Sequence, residues 1–184
     1  GVRRVISHRH RCIFVHQRKC AGTSIIRAFG LSPDDPDWHV ANDGVASPEY
    51  ASMPPDFLRF AVVRNPWDRF VSGWKYCVST RLRTLPDVLS HLPSEGHDYR
   101  HVTRPQHETI YHHDGRLAVD VLLRFETLQS DFDGLCDRIG MPRKALQHWN
   151  RTPHADYRQY FDRDSLQRFN THFAGDIQRF GYTF

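Results

Sequence analysis

Apolar residues recur along this chain in two rhythms. Short, nearly unbroken runs, Cys12-Ile13-Phe14-Val15, Leu58-Arg59-Phe60-Ala61-Val62-Val63 and Val119-Asp120-Val121-Leu122-Leu123, are bounded by charged or small residues. Runs of this length, rich in β-branched and aromatic side chains, read as buried strands. Between and after them the apolar positions spread to helical spacing. The pattern predicts strand 11–16, helix 23–29, an irregular stretch 30–57, strand 58–63, helix 66–80, a His- and Pro-rich stretch 81–116, strand 119–125 and helix 127–139. Helical segments near 143–149 and 163–174 follow. Trp67 and Trp74, seven residues apart within one helix, read as core rather than as a stacking platform for a base.

Strands apolar on both faces that alternate with helices predict an α/β domain: three layers, with a central parallel sheet flanked by helices. At 184 residues the chain is expected to be one domain, 1–184, large enough for a proper core. In such sheets ligands bind outside the carboxyl ends of the strands. Here three strands run out into charged turns, at Arg18/Lys19, Arg64 and Arg124/Glu126. The stretches 30–57 and 81–116 are long for a compact domain and are read as substrate-binding loops.

The first strand runs out into His16-Gln17-Arg18-Lys19-Cys20-Ala21-Gly22-Thr23-Ser24, followed by helix-forming Ile25-Ile26-Arg27-Ala28. Backbone N–H groups of a small-residue turn can point at an anion, Gly22 permits close approach, and Thr23 and Ser24 add hydroxyl donors. A Walker loop places its lysine after the glycines, whereas Lys19 precedes Gly22. The second strand runs into Arg64-Asn65-Pro66-Trp67-Asp68-Arg69-Phe70-Val71-Ser72. Pro66 suits a first helical turn, and Ser72 falls about two turns after Asn65, where its hydroxyl could share an anion with Arg64.

These two segments together resemble the signature motifs of sulfotransferases that use 3'-phosphoadenosine 5'-phosphosulfate (PAPS), and most closely those of the carbohydrate, uronyl 2-O type. The resemblance implies a P-loop-like fold and assigns Arg18, Lys19, Cys20, Ala21, Gly22, Thr23 and Ser24 to the 5'-phosphosulfate and Arg64 and Ser72 to the 3'-phosphate. It extends to Val119–Leu128, similar to the family's third strand-to-helix junction, and to Asp176-Ile177-Gln178-Arg179-Phe180-Gly181-Tyr182, similar to its C-terminal ending. Arg151 and Thr152, in Asn150-Arg151-Thr152, resemble a late loop that closes over the nucleotide. The co-substrate implied is PAPS, the acceptor a hydroxyl on a glycan, and no metal is required. A sulfuryl group carries less negative charge than a phosphoryl group, so a lysine and oriented N–H groups can replace Mg²⁺. Lys19 is the candidate for the oxygen bridging phosphate and sulfate.

A general base must accept the acceptor's proton near neutral pH, which suits histidine. With 13 histidines in the chain, the type alone does not choose. His39, in Asp37-Trp38-His39-Val40, is favoured because the resembling enzymes carry their catalytic His in this interval. His101 is the second choice and, with Arg104, a candidate for holding substrate. Glu108 and Glu126 stay open as bases, Glu126 being read first as an ion-pair partner of Arg124. His112-His113 precede Asp114-Gly115, which reads as a turn, so no metal site is assigned there.

Charge sharpens this picture. The first 33 residues contain seven Lys or Arg and no Asp or Glu, in a chain of net charge +4. A basic block is ordinarily a solvated face or a nucleic-acid arm. Around an anion loop it steers an anionic donor, and nucleic acid is not expected as a partner. The alternatives are a polyanion-binding module with a degenerate nucleotide site, and a kinase-like phosphotransferase, which the missing Walker lysine disfavours. No run approaches the roughly 18 apolar residues of a membrane span. Cys12, Cys20, Cys77 and Cys136 lack paired spacing, which argues against structural zinc and a disulfide scaffold and predicts reduced thiols in a cytoplasm. Gly1 in place of Met leaves room for an upstream anchor, in which case the compartment is the Golgi lumen. The oligomeric state is not encoded in any visible pattern.

Overall fold

The computed structural model describes residues 2–31, 38–41, 45, 48–92, 96–147 and 152–184. In chain order the elements are β1 (Val2–Ser7), β2 (Cys12–Val15), α1 (Gly22–Ala28), β3 (Trp38–Ala41), α2 (Pro48–Ala51), β4 (Leu58–Val63), α3 (Pro66–Tyr76), α4 (Val78–Arg81) and α5 (Leu85–Ser90). They continue with α6 (Gly96–Asp98), a π-helical turn (Tyr99–Thr103), α7 (His107–Ile110), β5 (Val121–Arg124), α8 (Leu128–Ile139), α9 (Arg163–His172) and α10 (Ala174–Phe180). The chain divides into two compact units, Gly1–Val63 with Glu108–Asn150 and Arg64–His107 with Arg151–Phe184.

The first unit holds a five-stranded sheet of order β3-β1-β2-β4-β5. β2, β4 and β5 pair in parallel, with Val15 opposite Ala61 and Val63 opposite Arg124. This is the expected α/β architecture. Alternate residues Cys12 and Phe14, Phe60 and Val62, and Leu123 share one face with Ile25 and Ile26 of α1 and Phe132, Leu135 and Cys136 of α8. Ile6 and Ile13 pack with Phe57. Each large apolar side chain so buried contributes about 1.5–3 kcal/mol.

Several expectations are corrected. The parallel sheet stands, and β1 and β3, neither of which was expected, extend it antiparallel beyond β2. β1 lacks the signal of a buried run because Arg3 and Arg4 interrupt its apolar residues. β3 lies inside the stretch read as irregular, as does α2. Helix 66–80 breaks at Cys77, whose extended backbone (ψ 131°) separates α3 from α4. The stretch 81–116 contains α5, α6, the π-helical turn and α7.

Residues 143–147 are not helical, and 148–149 lie outside the described residues. Side chains strap this segment down instead. Lys144 Nζ donates to Ala28 O at 2.8 Å, Leu146 N–H donates to Gln129 Oε1 at 2.8 Å, and Arg143 pairs with Asp137 at 2.5 Å. The predicted helix 163–174 becomes two helices that meet at Phe173.

The second unit is built around α3. Trp67, Phe70, Val71 and Trp74 pack with Leu85, Val88 and Leu89 of α5 and with Phe169 and Phe173. Each indole N–H has a partner, Trp67 Nε1 to Asn170 Oδ1 and Trp74 Nε1 to Arg83 O, both at 3.0 Å, which allows rings this large to be buried.

Candidate active site

β2 ends at Val15, and the chain turns through His16–Ala21 into α1. Two residues of this turn adopt left-handed backbone, Lys19 (φ 65°) and Ala21 (φ 58°). For a residue with a Cβ this costs about 1–2 kcal/mol, so the surrounding structure must impose it. Three contacts do so. Gln17 is buried and donates through Nε2 to Thr109 Oγ1. Cys20, fully buried, directs its thiol to Arg18 O at 3.6 Å. The His16 imidazole lies so close to Gly22 that a Cβ there would stand 1.7 Å from Nε2. A side chain at position 22 would therefore force the His16 ring to move, and it is this contact, not an unusual φ, that favours glycine there. Lys19, Arg18 and Thr23 are partly exposed, and Ser24 is buried.

The parallel pairing of β2 with β4 makes both strands leave the sheet at one edge. Arg64 follows directly after β4 and is only 8% exposed. Its guanidinium binds Asp68 Oδ2 through Nε at 2.8 Å and through a terminal nitrogen at 2.7 Å. His154 Nε2 stands 3.7 Å from the other Asp68 oxygen. The backbone of Arg64 is held as firmly: its N–H donates to Gln106 Oε1 and its carbonyl accepts from Gln106 Nε2, each at 2.9 Å. Asn65 caps α3 by accepting from Asp68 N–H at 3.1 Å, and Pro66 occupies the first turn as expected. Ser72 and Arg69 are buried on α3.

The remaining candidates divide. The backbone of His39 lies in β3, paired with Arg4 of β1, while its side chain falls outside what is described. His101 sits in the π-helical turn with its ring 6.5 Å from that of Tyr76, nearly parallel to it. A Cβ at Gly73 would meet His101 O at 2.5 Å, so the glycine of α3 admits this turn. Arg104 is partly buried just after the turn, and Glu108 is exposed on α7. Thr152 is described, whereas Arg151 lies outside the described residues. Asp114 and Gly115 form a turn closed by Gly115 N–H to His112 O at 2.9 Å. Among the described residues no three His, Cys, Asp or Glu side chains gather as metal ligands.

The sequence profile of the sulfotransferase family matches residues 3–183, a span that contains both exits. The chain belongs to the sulfotransferase family. No match is found among the curated proteins or the solved structures. Membership makes the protein a transferase of sulfuryl groups acting on an acceptor substrate. No helix among the described residues of this sulfotransferase is long and apolar enough to cross a membrane.

Sequence reasoning missed the supporting residues of the sulfotransferase: His16 over Gly22, Asp68 and His154 beside Arg64, and Gln106 on the Arg64 peptide. His16 and Asp68 lie inside segments that the motifs single out, but nothing in the spacing indicates that residue 106 reaches residue 64. The fully buried Asp176, inside the segment read as a C-terminal ending, is the acceptor on which Gln106 and His107 converge.

Proposed function

We propose that the protein transfers the sulfuryl group of PAPS to a hydroxyl of a carbohydrate, as one domain spanning 1–184. The observation that carries this reading is the adjacency of two parallel strands, each followed at once by a basic motif, inside a single sulfotransferase family match. Residues 18–24 take the 5'-phosphosulfate, with Lys19 compensating the charge that gathers on the bridging oxygen as the sulfur–oxygen bond breaks. Charge that develops only in the transition state is where such compensation accelerates the reaction. Arg64 and Ser72 take the 3'-phosphate, Arg151 and Thr152 close over the nucleotide, and the departing product is adenosine 3',5'-bisphosphate. His39 takes the proton of the attacking hydroxyl, and His101 and Arg104 hold the acceptor. The first 33 residues, with seven Lys or Arg and no Asp or Glu, favour an anionic donor.

Calorimetry with adenosine 3',5'-bisphosphate in the absence of metal tests the reading. Binding is expected, and at about 100 times the dissociation constant it should stabilise the fold by roughly 2.7 kcal/mol. Equal stabilisation by ADP, which has no 3'-phosphate, would remove the role of Arg64 and Ser72. Salt-sensitive binding of polyanions with no nucleotide affinity would replace the enzyme by a binding module.

A further inference from the structure

Gln106 does to Arg64 what a neighbouring strand would do. Its side-chain amide both accepts from the Arg64 N–H and donates to the Arg64 carbonyl, at 2.9 Å each, one residue beyond the last ladder position of β4, where Val63 faces Arg124. The amide cannot be turned around. Asp176 Oδ2 accepts the backbone N–H of Gln106 at 2.8 Å, so the Gln106 side-chain atom 3.3 Å from the same oxygen must be the donor Nε2, which leaves Oε1 for the Arg64 N–H. Gln106 and Asp176 are both fully buried.

Asp176 is itself held from the other side. Its Oδ1 accepts the His107 N–H at 2.8 Å and lies 2.7 Å from His107 Nδ1. Gly175 makes room for this, since a Cβ there would stand 2.4 Å from the His107 ring. Burying a carboxyl group among apolar residues is costly unless donors surround it, and here four nitrogens do. The result is a chain of contacts from α10 through Gln106 to the two peptide groups that flank the Cα of Arg64.

We propose that Gln106, oriented by Asp176, is a positioning residue that holds the Arg64 peptide so that its guanidinium meets the 3'-phosphate of the donor nucleotide. This inference rests on the role of Arg64 proposed above. Built sites tolerate about 10–20° of misorientation, and an arginine is a long arm on which a small rotation at Cα becomes a large displacement at the tip. Asp68 fixes the guanidinium, but only relative to α3, which begins two residues after Arg64.

The test compares adenosine 3',5'-bisphosphate with adenosine 5'-phosphate, so that the ratio of affinities reads the 3'-phosphate alone. Gln106→Met keeps the length of the side chain and removes the amide. Its affinity for the bisphosphate is expected to fall about tenfold with that for the monophosphate unchanged, so the ratio collapses. His107→Ala, which removes one support of Asp176 and leaves Gln106 in place, is expected to lower the same ratio by about two- to threefold, and it carries the test if Gln106→Met does not fold. A merely structural role would lower the melting temperature and leave the ratio as in the wild type, and that result in a folded variant overturns the inference. Arg64→Ala separates the two levels. If the wild type discriminates and Arg64→Ala does not, the role of Arg64 stands and the variants judge Gln106. If the wild type binds both nucleotides alike, the role of Arg64 falls, and the inference with it.

Discussion

His16 and Gly22 share one space: a Cβ on Gly22 would lie 1.7 Å from His16 Nε2 and 2.2 Å from Cδ2. The last side chain of the strand exit is thus laid over the first residue of α1, and the turn between them is held closed across that contact. The ring is buried and also lies 5.6 Å, between centroids, from that of Phe14, so it has little room to withdraw. The left-handed residues Lys19 and Ala21 lie inside this closed turn.

Gly22→Ala should therefore destabilise the fold by about 1–3 kcal/mol, the usual cost of forcing a methyl into a packed interior. The measurement is a denaturant midpoint. His16→Ala combined with Gly22→Ala should recover most of the loss, which makes the pair strongly non-additive. A Gly22→Ala protein as stable as the wild type would mean the ring has another place to go, and the contact would then not hold the turn.

Much of this was legible from local pattern. The apolar runs at 12–15, 58–63 and 119–123 read as strands of a parallel sheet, and the residues after two of them read as anion chemistry. β1 and β3 were not legible, because an antiparallel edge pair needs no continuous apolar run and Arg3 and Arg4 mask the signal. Gln106 and Asp176 escaped for another reason. They reach Arg64 and Gln106 across 42 and 70 residues of chain, and a contact at that separation leaves no periodicity in the sequence. Segment 143–147 has helical composition yet is not helical and is held by bonds from Lys144 and Leu146, so tertiary contacts outweighed propensity.

The two basic residues should separate in kinetics. Arg64→Ala should weaken binding of adenosine 3',5'-bisphosphate by about 1.5–3 kcal/mol, the scale of a hydrogen bond to a charged group. Asp68 stays partly solvated and keeps His154 within 3.7 Å, so the fold should tolerate the change and the affinity can be read directly. Lys19→Ala should chiefly lower turnover, because the charge it compensates develops in the transition state. Calorimetry and initial rates on both variants check the division. Intact turnover without Lys19, together with intact affinity without Arg64, would show the roles to be wrong even with the family right.

Alkaline pH should act on the core through Cys12. Burial, followed by the neighbouring Cys136, pushes the Cys12 thiol up to about 12. An unfolded thiol ionises near about 8.5. Above that pH the unfolded chain releases a proton that the folded chain keeps, so this contribution to stability is complete below about 8.5 and is lost as pH rises toward 12. The slope is about 1.4 kcal/mol per pH unit for one such group. Lysine and tyrosine also titrate there, so the informative quantity is a difference. Urea midpoints from pH 8 to 11 should fall more steeply for the wild type than for Cys12→Ala, and parallel curves would show that Cys12 ionises without unfolding.

The assignment of the base is tested by His39. If His39 takes the acceptor's proton, His39→Ala should keep its affinity for adenosine 3',5'-bisphosphate and lose about 10²–10⁴-fold in turnover, the usual contribution of general-base catalysis. A base works only in its deprotonated form, so wild-type turnover should rise with pH through the range in which an imidazole loses its proton. That limb should vanish in the variant. His101 makes a different forecast. Its ring lies nearly parallel to that of Tyr76, at 6.5 Å between centroids. If His39 only helps to bind and His101 or Glu108 is the base, His39→Ala should chiefly raise the acceptor's KM, the sign of lost uniform binding. Parallel pH–rate curves for His39→Ala and His101→Ala, taken with one acceptor that turns over, distinguish these cases. Wild-type turnover with an unchanged limb in His39→Ala would transfer the role away from β3.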